Sequence, residues 1–265
     1  MKLGLTHDRV YRHIKSSAKA PDSGKIPIFI AKCFNLLKVP AMSHTIRVWD
    51  LPTRIFHWAL VACVIGLVIT GQIGGTLMDW HFRLGYAVLS LVLFRLVWGL
   101  LGGHWSRFAS FLYAPSSMLR YLRGESGPEV NVGHNPLGAL SVFAMLLFLL
   151  LQVGSGLISD DEIATSGPLT SLVSSSLVSQ ATWYHRAVGK PVLIVLVVLH
   201  VAAIAFYLFR KRQNLVRPMV LGDKEVPAPM PASRDDGRSR LLALVLWLCC
   251  VGLVLWMLTL APPGF

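Results

Sequence analysis

The sequence predicts an all-α integral membrane protein, and three observations carry that prediction. The chain has 265 residues, of which 54% are hydrophobic and only 14% are charged, whereas soluble domains contain about 25% charged residues. Its mean hydropathy is +0.59. Apolar stretches long enough to cross a bilayer, which takes about 20 residues, recur five times along the chain.

The five predicted spanning helices are joined by short turns or polar loops. Pro52 suits the first turn of the first helix, and the short segment 71–80 favours an antiparallel hairpin between the first two helices. We expect the first four helices to form a four-helix bundle and the fifth to be an additional C-terminal transmembrane helix. The predicted spans are about residues 53–73, 81–101, 137–158, 185–209 and 240–260.

These helices divide the chain into four regions. Residues 1–41 form a basic N-terminal extension that we expect to be poorly ordered, because its apolar patch Ile26–Ala31 is too short to span a bilayer or to act as a signal peptide. Residues 42–221 form the membrane domain, 222–239 a cytoplasmic linker, and 240–265 the region of the fifth helix. The alternative that residues 1–41 precede the natural start of the protein stays open.

The basic residues predict how the chain is oriented. Of the 25 Lys and Arg residues, 21 fall in segments 1–54, 102–136 and 210–240, which lie on one side of the membrane if all five helices span it. Cytoplasmic loops carry such an excess of positive charge, so we expect the N-terminus inside and the C-terminus outside. The net charge of +12 therefore reflects topology and does not indicate nucleic-acid binding. The basic cluster at residues 210–217 favours contact with anionic lipid headgroups.

The cysteines exclude several kinds of site. They form no CxxC and no CxxCH motif, so a zinc ribbon, a thioredoxin-type motif and covalent c-type haem attachment are all unsupported. The four are Cys33, Cys63, Cys249 and Cys250.

Four histidines lie within the predicted helices at matched depths. His185 and His200 are 15 residues apart on the fourth helix, which separates them by roughly 22 Å along the axis. His81 opens the second helix at the level of His185, and His57 lies at the level of His200. Two pairs are predicted, His81 with His185 and His57 with His200, each joining the fourth helix to a neighbour.

Three kinds of site compete for these pairs. A single histidine in a membrane helix is often only a helix–helix hydrogen-bonding residue, and zinc would need further ligands that these helices do not supply. Two neutral imidazoles that face each other suit the axial ligation of a haem. Four cations in or near the helices either snorkel to the interface or pair with haem propionates; they are Arg83, Arg95, Arg186 and Lys190.

The motifs resemble those of the bacterial cytochrome b561 family, and most closely its nickel-iron hydrogenase b-type cytochrome subunits. They are RVWDLPTRIFHW, HFRLGY, FRLVWGLLGGHWSRF, YLRGE followed by GHNPLGA, and WYHRAVGK followed by LHVAAI. The resemblance covers about Ile46 to Leu221. It implies a haem-binding bundle with two non-covalent b-type haems, whose iron ligands by motif match are His57, His81, His185 and His200.

One spacing departs from the family pattern. The two histidines of the fourth helix are one residue further apart than is usual in the family, and Pro191 follows His185 by about one turn. This puts His185 in more doubt than His200. His134 of the GHNP motif lies at the mouth of the third helix, and we interpret it as structural or close to a quinone site rather than as a ligand.

The resemblance implies a function in the bacterial inner membrane. We expect electron transfer between the quinone pool and a periplasmic partner, which would be a cytochrome or a hydrogenase or dehydrogenase subunit. On this interpretation we expect the protein to be an electron-transfer subunit rather than a self-contained enzyme. Two alternatives stay open: a stand-alone superoxide:quinone oxidoreductase, and a haem-free membrane anchor or transporter.

Overall fold

The computed structural model describes residues 43–161 and 165–260. Within them, five helical segments are long and apolar enough to cross a membrane, so the prediction of an all-α membrane protein with a fifth C-terminal helix is confirmed. The predicted extension 1–41 lies outside the described residues.

The first four spanning helices pack against one another in chain order, each antiparallel to the one before it. The spanning ones are α1 (Leu51–Ile73), α2 (Met78–Leu101), α4 (Pro136–Leu157), α6 (Lys190–Phe209) and α8 (Gly237–Leu258); the shorter ones are α3 (Pro115–Leu122), α5 (Ser175–Trp183) and α7 (Val216–Leu221). Helix α2 packs against α1, α4 and α8, and α4 also packs against α6. The buried centre of α2 includes Val88, Val92 and Trp98.

The fourth spanning segment is longer than predicted. Helical structure is continuous from Ser175 to Phe209, because a π-helical turn at Tyr184–Gly189 joins α5 to α6. The first turns of α5 are rich in serine, so hydropathy alone places the start of the segment too late. Ser174 caps α5 by accepting a hydrogen bond from the Leu177 N–H at 3.4 Å.

Asp50 joins the beginning of α1 to the end of α2. Its carboxylate is fully buried and accepts hydrogen bonds from the Thr53 N–H at 2.8 Å, the Ser106 hydroxyl at 2.7 Å and the Gly103 N–H at 3.1 Å. The Trp98 indole also donates to it. Because a buried carboxylate needs such donors, Asp50 fixes which ends of α1 and α2 lie together.

We call this side of the molecule the basic face. The ends of α2 and α6 and the beginnings of α1, α4 and α8 lie here, with most of the described Lys and Arg residues. The other ends of these helices lie at what we call the opposite face.

The region predicted as a linker contains structure that the sequence patterns did not indicate. Strand β2 (Asp223–Val226) pairs antiparallel with β1 (His44–Arg47). Arg47 forms ion pairs with Asp223 at 2.8 Å and with Asp235 at 3.1 Å. Local sequence patterns cannot show strand pairing between segments this far apart, and the resulting cap covers the basic-face end of α1.

Candidate functional site

The structure brings His57 of α1 and His200 of α6 together near the basic face. Their ring centroids are 6.5 Å apart, with an angle of 50° between the ring planes. Both side chains are partly buried. This is the first of the two pairs expected from helix depth.

The second pair lies near the opposite face. His81, in the first turn of α2, faces His185 of the π-helical turn with ring centroids 6.3 Å apart and an interplanar angle of 80°. Each pair therefore joins the α5–α6 segment to a different neighbour, α1 or α2.

Both separations fit two imidazoles that share one metal ion. An imidazole nitrogen lies about 2 Å from a metal ion that it binds and about 1 Å from its own ring centre, so two rings on opposite sides of one ion have centres about 6 Å apart. Among the residues that the structure describes, no group of three or more His, Cys, Asp or Glu could hold a metal ion. The donor sets therefore fit a haem iron, whose remaining ligands come from the porphyrin.

Each opposite-face histidine is oriented by a backbone carbonyl and a hydroxyl. Nδ1 of His81 is 3.2 Å from both the Leu67 carbonyl oxygen and the Thr70 hydroxyl. Because a carbonyl can only accept, Nδ1 of His81 carries the proton, which leaves the lone pair of Nε2 available to bind a metal ion.

His185 has the same arrangement on α4. Its Nδ1 donates to the Gln152 carbonyl at 2.9 Å and lies 3.3 Å from the Ser155 hydroxyl. The carbonyl, the hydroxyl three residues later and a glycine one residue after that repeat the pattern of Leu67, Thr70 and Gly71. The two supports are thus built alike on α1 and α4.

The glycines of this pattern make room for the imidazoles. A Cβ at Gly71 would lie 3.0 Å from Cε1 of His81, and one at Gly156 would lie 2.9 Å from Cε1 of His185. Any larger residue would push the ring away from its carbonyl. The repeated hydroxyl–glycine pairs at helix ends, Thr70-Gly71 and Ser155-Gly156, are the sequence signal that could reveal this role.

His57 has a different environment. Its Nδ1 is buried and has no hydrogen-bond partner in the described part of the chain. Its ring instead contacts Trp58 edge-on, with centroids 5.1 Å apart. The neighbouring turn is anchored by the Trp58 indole, which donates to the Met219 carbonyl at 3.2 Å.

The π-helical turn accounts for the unusual spacing of His185 and His200. In this turn the Lys190 N–H donates to the His185 carbonyl, five residues back, so each turn holds more residues than an α-helix does. An extra residue is therefore taken up without moving His185 away from His81. Pro191 lies in the first turn of α6, where its missing N–H is tolerated.

The four candidate cations occupy two kinds of environment. Arg95 is 3% exposed, its Cζ lies 4.7 Å from the centroid of the Phe108 ring, and its NH1 nitrogen has no partner among the described residues. Arg83, Arg186 and Lys190 are exposed near the opposite face. Arg83 lies over the Trp80 ring, and Lys190 donates to the Gln72 side chain at 3.3 Å. Only Arg95 is a buried cation without a counter-charge at hydrogen-bond distance in the described chain.

His134 packs between two aromatic rings at the basic face. Its ring centroid is 4.6 Å from that of Trp49 and 4.5 Å from that of Phe111. Burial, and after it the positive charge of Arg95, lowers the pKa of His134 to about 3, so the ring is neutral at physiological pH. The structure does not pair it with His57 or His200.

Comparison with known proteins identifies relatives of the chain. A family described as prokaryotic cytochrome b561 matches residues 48–222. A probable Ni/Fe-hydrogenase B-type cytochrome subunit of Bradyrhizobium diazoefficiens is 26% identical over 218 residues, which cover 68% of this chain and 86% of that protein. The protein of the same description from Cupriavidus necator is 28% identical over 210 residues, 66% of this chain and 85% of the relative. No solved structure gives a significant match.

Proposed function

The chain belongs to the prokaryotic cytochrome b561 family, and on that premise we propose that it holds two b-type haems and carries electrons across the membrane between them. The observation that carries the proposal is the two pairs of facing histidines with ring centroids 6.5 and 6.3 Å apart. We propose His57 and His200 as the axial ligands of a basic-face haem and His81 and His185 as those of an opposite-face haem.

Ligation by two histidines determines the class of chemistry. An iron with two imidazole ligands has no open position, so the haems would supply one-electron transfer rather than activation of oxygen. The two α6-side histidines are 15 residues apart, or roughly 22 Å along the helix, so the two haems together would span the apolar core.

The chain's own residues would hold and tune the haems. The carbonyls of Leu67 and Gln152 fix the tautomers of His81 and His185. Arg95, buried beside the aromatic rings of the basic face, would neutralise a propionate of the basic-face haem. Arg83, Arg186 and Lys190 would do the same for the other haem near the opposite face.

We propose that the basic face is cytoplasmic, because it carries most of the Lys and Arg residues. The N-terminus would then be inside and the C-terminus outside. The relatives are described as hydrogenase cytochrome subunits, so a hydrogenase is our first choice of periplasmic redox partner. Quinone would react at the basic face.

Absorption spectroscopy of single histidine variants tests this proposal. The purified protein should show a reduced b-type α-band and two haems per chain. His57→Ala and His200→Ala should each lose the same haem and keep the other, and His81→Ala and His185→Ala should lose the second haem.

His104→Ala is the matched control, because this histidine lies in the polar loop after α2 and its Nδ1 only approaches Arg107, at 3.5 Å; both haems should remain. A protein without b-type absorption would contradict the proposal and favour the haem-free anchor. Loss of the same haem in His57→Ala and His185→Ala would contradict the pairing.

A further inference from the structure

Two tyrosines and two asparagines form a hydrogen-bonded chain at the basic face. Tyr207 of α6 accepts a hydrogen bond from the Asn135 side-chain amide at 2.7 Å and bonds to the Tyr121 hydroxyl of α3. Tyr121 in turn donates to Oδ1 of Asn131 at 3.4 Å. Nothing in the sequence patterns indicated this network, since its members come from four separate segments.

The direction of these hydrogen bonds follows from what each group can donate. Oδ1 of Asn135 accepts from the Gly138 N–H at 2.8 Å when it caps α4, so the side of Asn135 that faces Tyr207 is the NH₂ group. Tyr207 must therefore accept from Asn135, and its own hydrogen points elsewhere. The acceptor in reach is the Tyr121 oxygen, and the Tyr121 hydrogen then points to Asn131.

The hydrogen-bonded network lies beside a solvent-accessible pocket. Tyr121, Asn131 and Tyr207 line a polar pocket of about 230 Å³ together with Lys211 and Gln213. Lys211 and Gln213 are exposed, so the pocket is open to solvent. A water molecule takes up about 30 Å³. The pocket can therefore hold several waters that are continuous with solvent at the basic face.

Tyr207 lies on the same helix as His200 of the basic-face pair and closer to the basic face. Tyr207 follows His200 by seven residues, which is about two helical turns and 10 Å, so both side chains lie on one face of α6.

We propose that Tyr207 and Tyr121 form a proton relay that supplies protons from the pocket to a quinone at the basic face. This inference rests on the proposed function, which provides the reduced haems and the quinone. Two electrons supplied by the two haems, together with two protons donated in turn by Tyr207, would convert the quinone to the quinol. When a quinone accepts the Tyr207 hydrogen, the Tyr121 hydroxyl turns away from Asn131 and donates its proton to Tyr207, since either tyrosine can be the donor of their hydrogen bond. Water in the pocket then reprotonates Tyr121.

The protonation state of Tyr121 suits this role. Burial, and after it the hydrogen bond with Tyr207, raises the pKa of Tyr121 above its usual range. Tyr121 is therefore protonated at neutral pH and has a proton to pass on without first losing it to solvent.

Reoxidation of the dithionite-reduced protein by a short-chain quinone tests the relay. The rate is measured by stopped-flow absorbance in H₂O and in D₂O. Tyr207→Phe should slow reoxidation by about 100-fold, the contribution of a positioned proton donor. Tyr121→Phe keeps Tyr207 as the proton donor but removes the hydroxyl that reprotonates it, so it should also lower the rate of reoxidation. Both variants should keep two haems and an unchanged absorption spectrum.

Tyr113→Phe is the control, because the Tyr113 hydroxyl lies in the same region but donates to the His134 carbonyl at 2.9 Å. It is not part of the hydrogen-bonded network of the two tyrosines and two asparagines. The variant should react at the wild-type rate with the wild-type isotope effect. If quinone does not reoxidise the wild-type protein, both the proposed function and the relay are wrong. If the wild type reacts and Tyr207→Phe matches it in rate and isotope effect, only the relay is wrong.

Discussion

The two histidine pairs have the same separation but different surroundings. At the opposite face, each ring donates to a backbone carbonyl and rests against a glycine. At the basic face, Nδ1 of His57 is buried without a partner in the described chain, and the buried cation Arg95 has a free NH1 there. The opposite-face pair is thus held in place by protein groups, whereas the basic-face site contains polar groups whose partners a haem would supply.

This difference predicts an order of redox potentials. An imidazole whose Nδ1–H donates to a carbonyl is a more basic ligand and stabilises ferric iron. A buried positive charge favours the ferrous state, which carries one positive charge less. The opposite-face haem should therefore have the lower midpoint potential, and electrons would pass downhill from it to the basic-face haem.

The largest expected effect comes from filling the space beside His185. Gly156→Leu places carbon atoms where the imidazole lies, since even a Cβ would be 2.9 Å from Cε1. We expect this variant to lose the opposite-face haem and keep the other, as measured by haem content and α-band shape. Gly154→Leu, on the same helix where no described atom lies within 4 Å of an added Cβ, should keep both. Retention of both haems in Gly156→Leu would contradict the account of the support.

Removing the buried cation should act on the other site. Arg95→Met keeps the length of the side chain but leaves a propionate unpaired, at a cost of about 3 kcal/mol. We expect the basic-face haem to bind about 100-fold more weakly and its midpoint potential to fall. The exposed Arg83 provides the control, since Arg83→Met should leave the basic-face haem unchanged; equal effects of the two substitutions would argue against a special role of Arg95.

A third prediction concerns pH and His134. Its pKa is lowered to about 3 in the folded protein, whereas an unfolded histidine has a pKa of about 6.5. Between these values the unfolded chain binds more protons than the folded protein. The contribution of His134 to the free energy of unfolding is therefore fully present above about pH 6.5 and is lost as the pH falls. At pH 5 the loss from this group is about 2 kcal/mol.

His134→Phe removes this dependence and keeps an aromatic ring between Trp49 and Phe111. Thermal unfolding in detergent at pH 7 and pH 5 should show a smaller difference for the variant than for the wild type. A wild-type difference that persists fully in His134→Phe would assign the acid sensitivity to other groups.

The smallest effect is expected from the hydroxyls that assist the opposite-face rings. Thr70→Val and Ser155→Ala each remove a hydroxyl whose hydrogen bond with the imidazole is worth about 1 kcal/mol, while the carbonyls of Leu67 and Gln152 remain. Haem content should be unchanged, and the lower midpoint potential should shift by no more than a few tens of millivolts. A shift in the higher potential instead would contradict the assignment of these residues to the opposite-face site.

The sequence predicted the parts of the fold that depend on local patterns. Hydropathy and helical rise are local properties, so they predict the five apolar spans. They also predict the depths of four histidines in the membrane, which are His57, His81, His185 and His200. The structure then brought the four histidines together in the two pairs expected.

Other parts depend on contacts between distant segments. Arg47 meets Asp223 and Asp235, and Asn135 meets Tyr207, and no periodicity connects such residues. The π-helical turn at Tyr184–Gly189 was visible only as an unexplained extra residue, because its hydrogen-bond pattern depends on packing against α4. Because strand pairing between distant segments leaves no local pattern, the sequence predicts a linker at residues 222–239, where β2 pairs with β1 in the structure.

A potentiometric titration of the haems tests the central claim most directly. We predict two one-electron steps in the wild-type protein, with only the lower-potential step missing in His185→Ala and only the higher-potential step missing in His200→Ala. A single step in the wild type, or loss of the same step in both variants, would contradict the claim that α6 and the turn before it serve two separate haems.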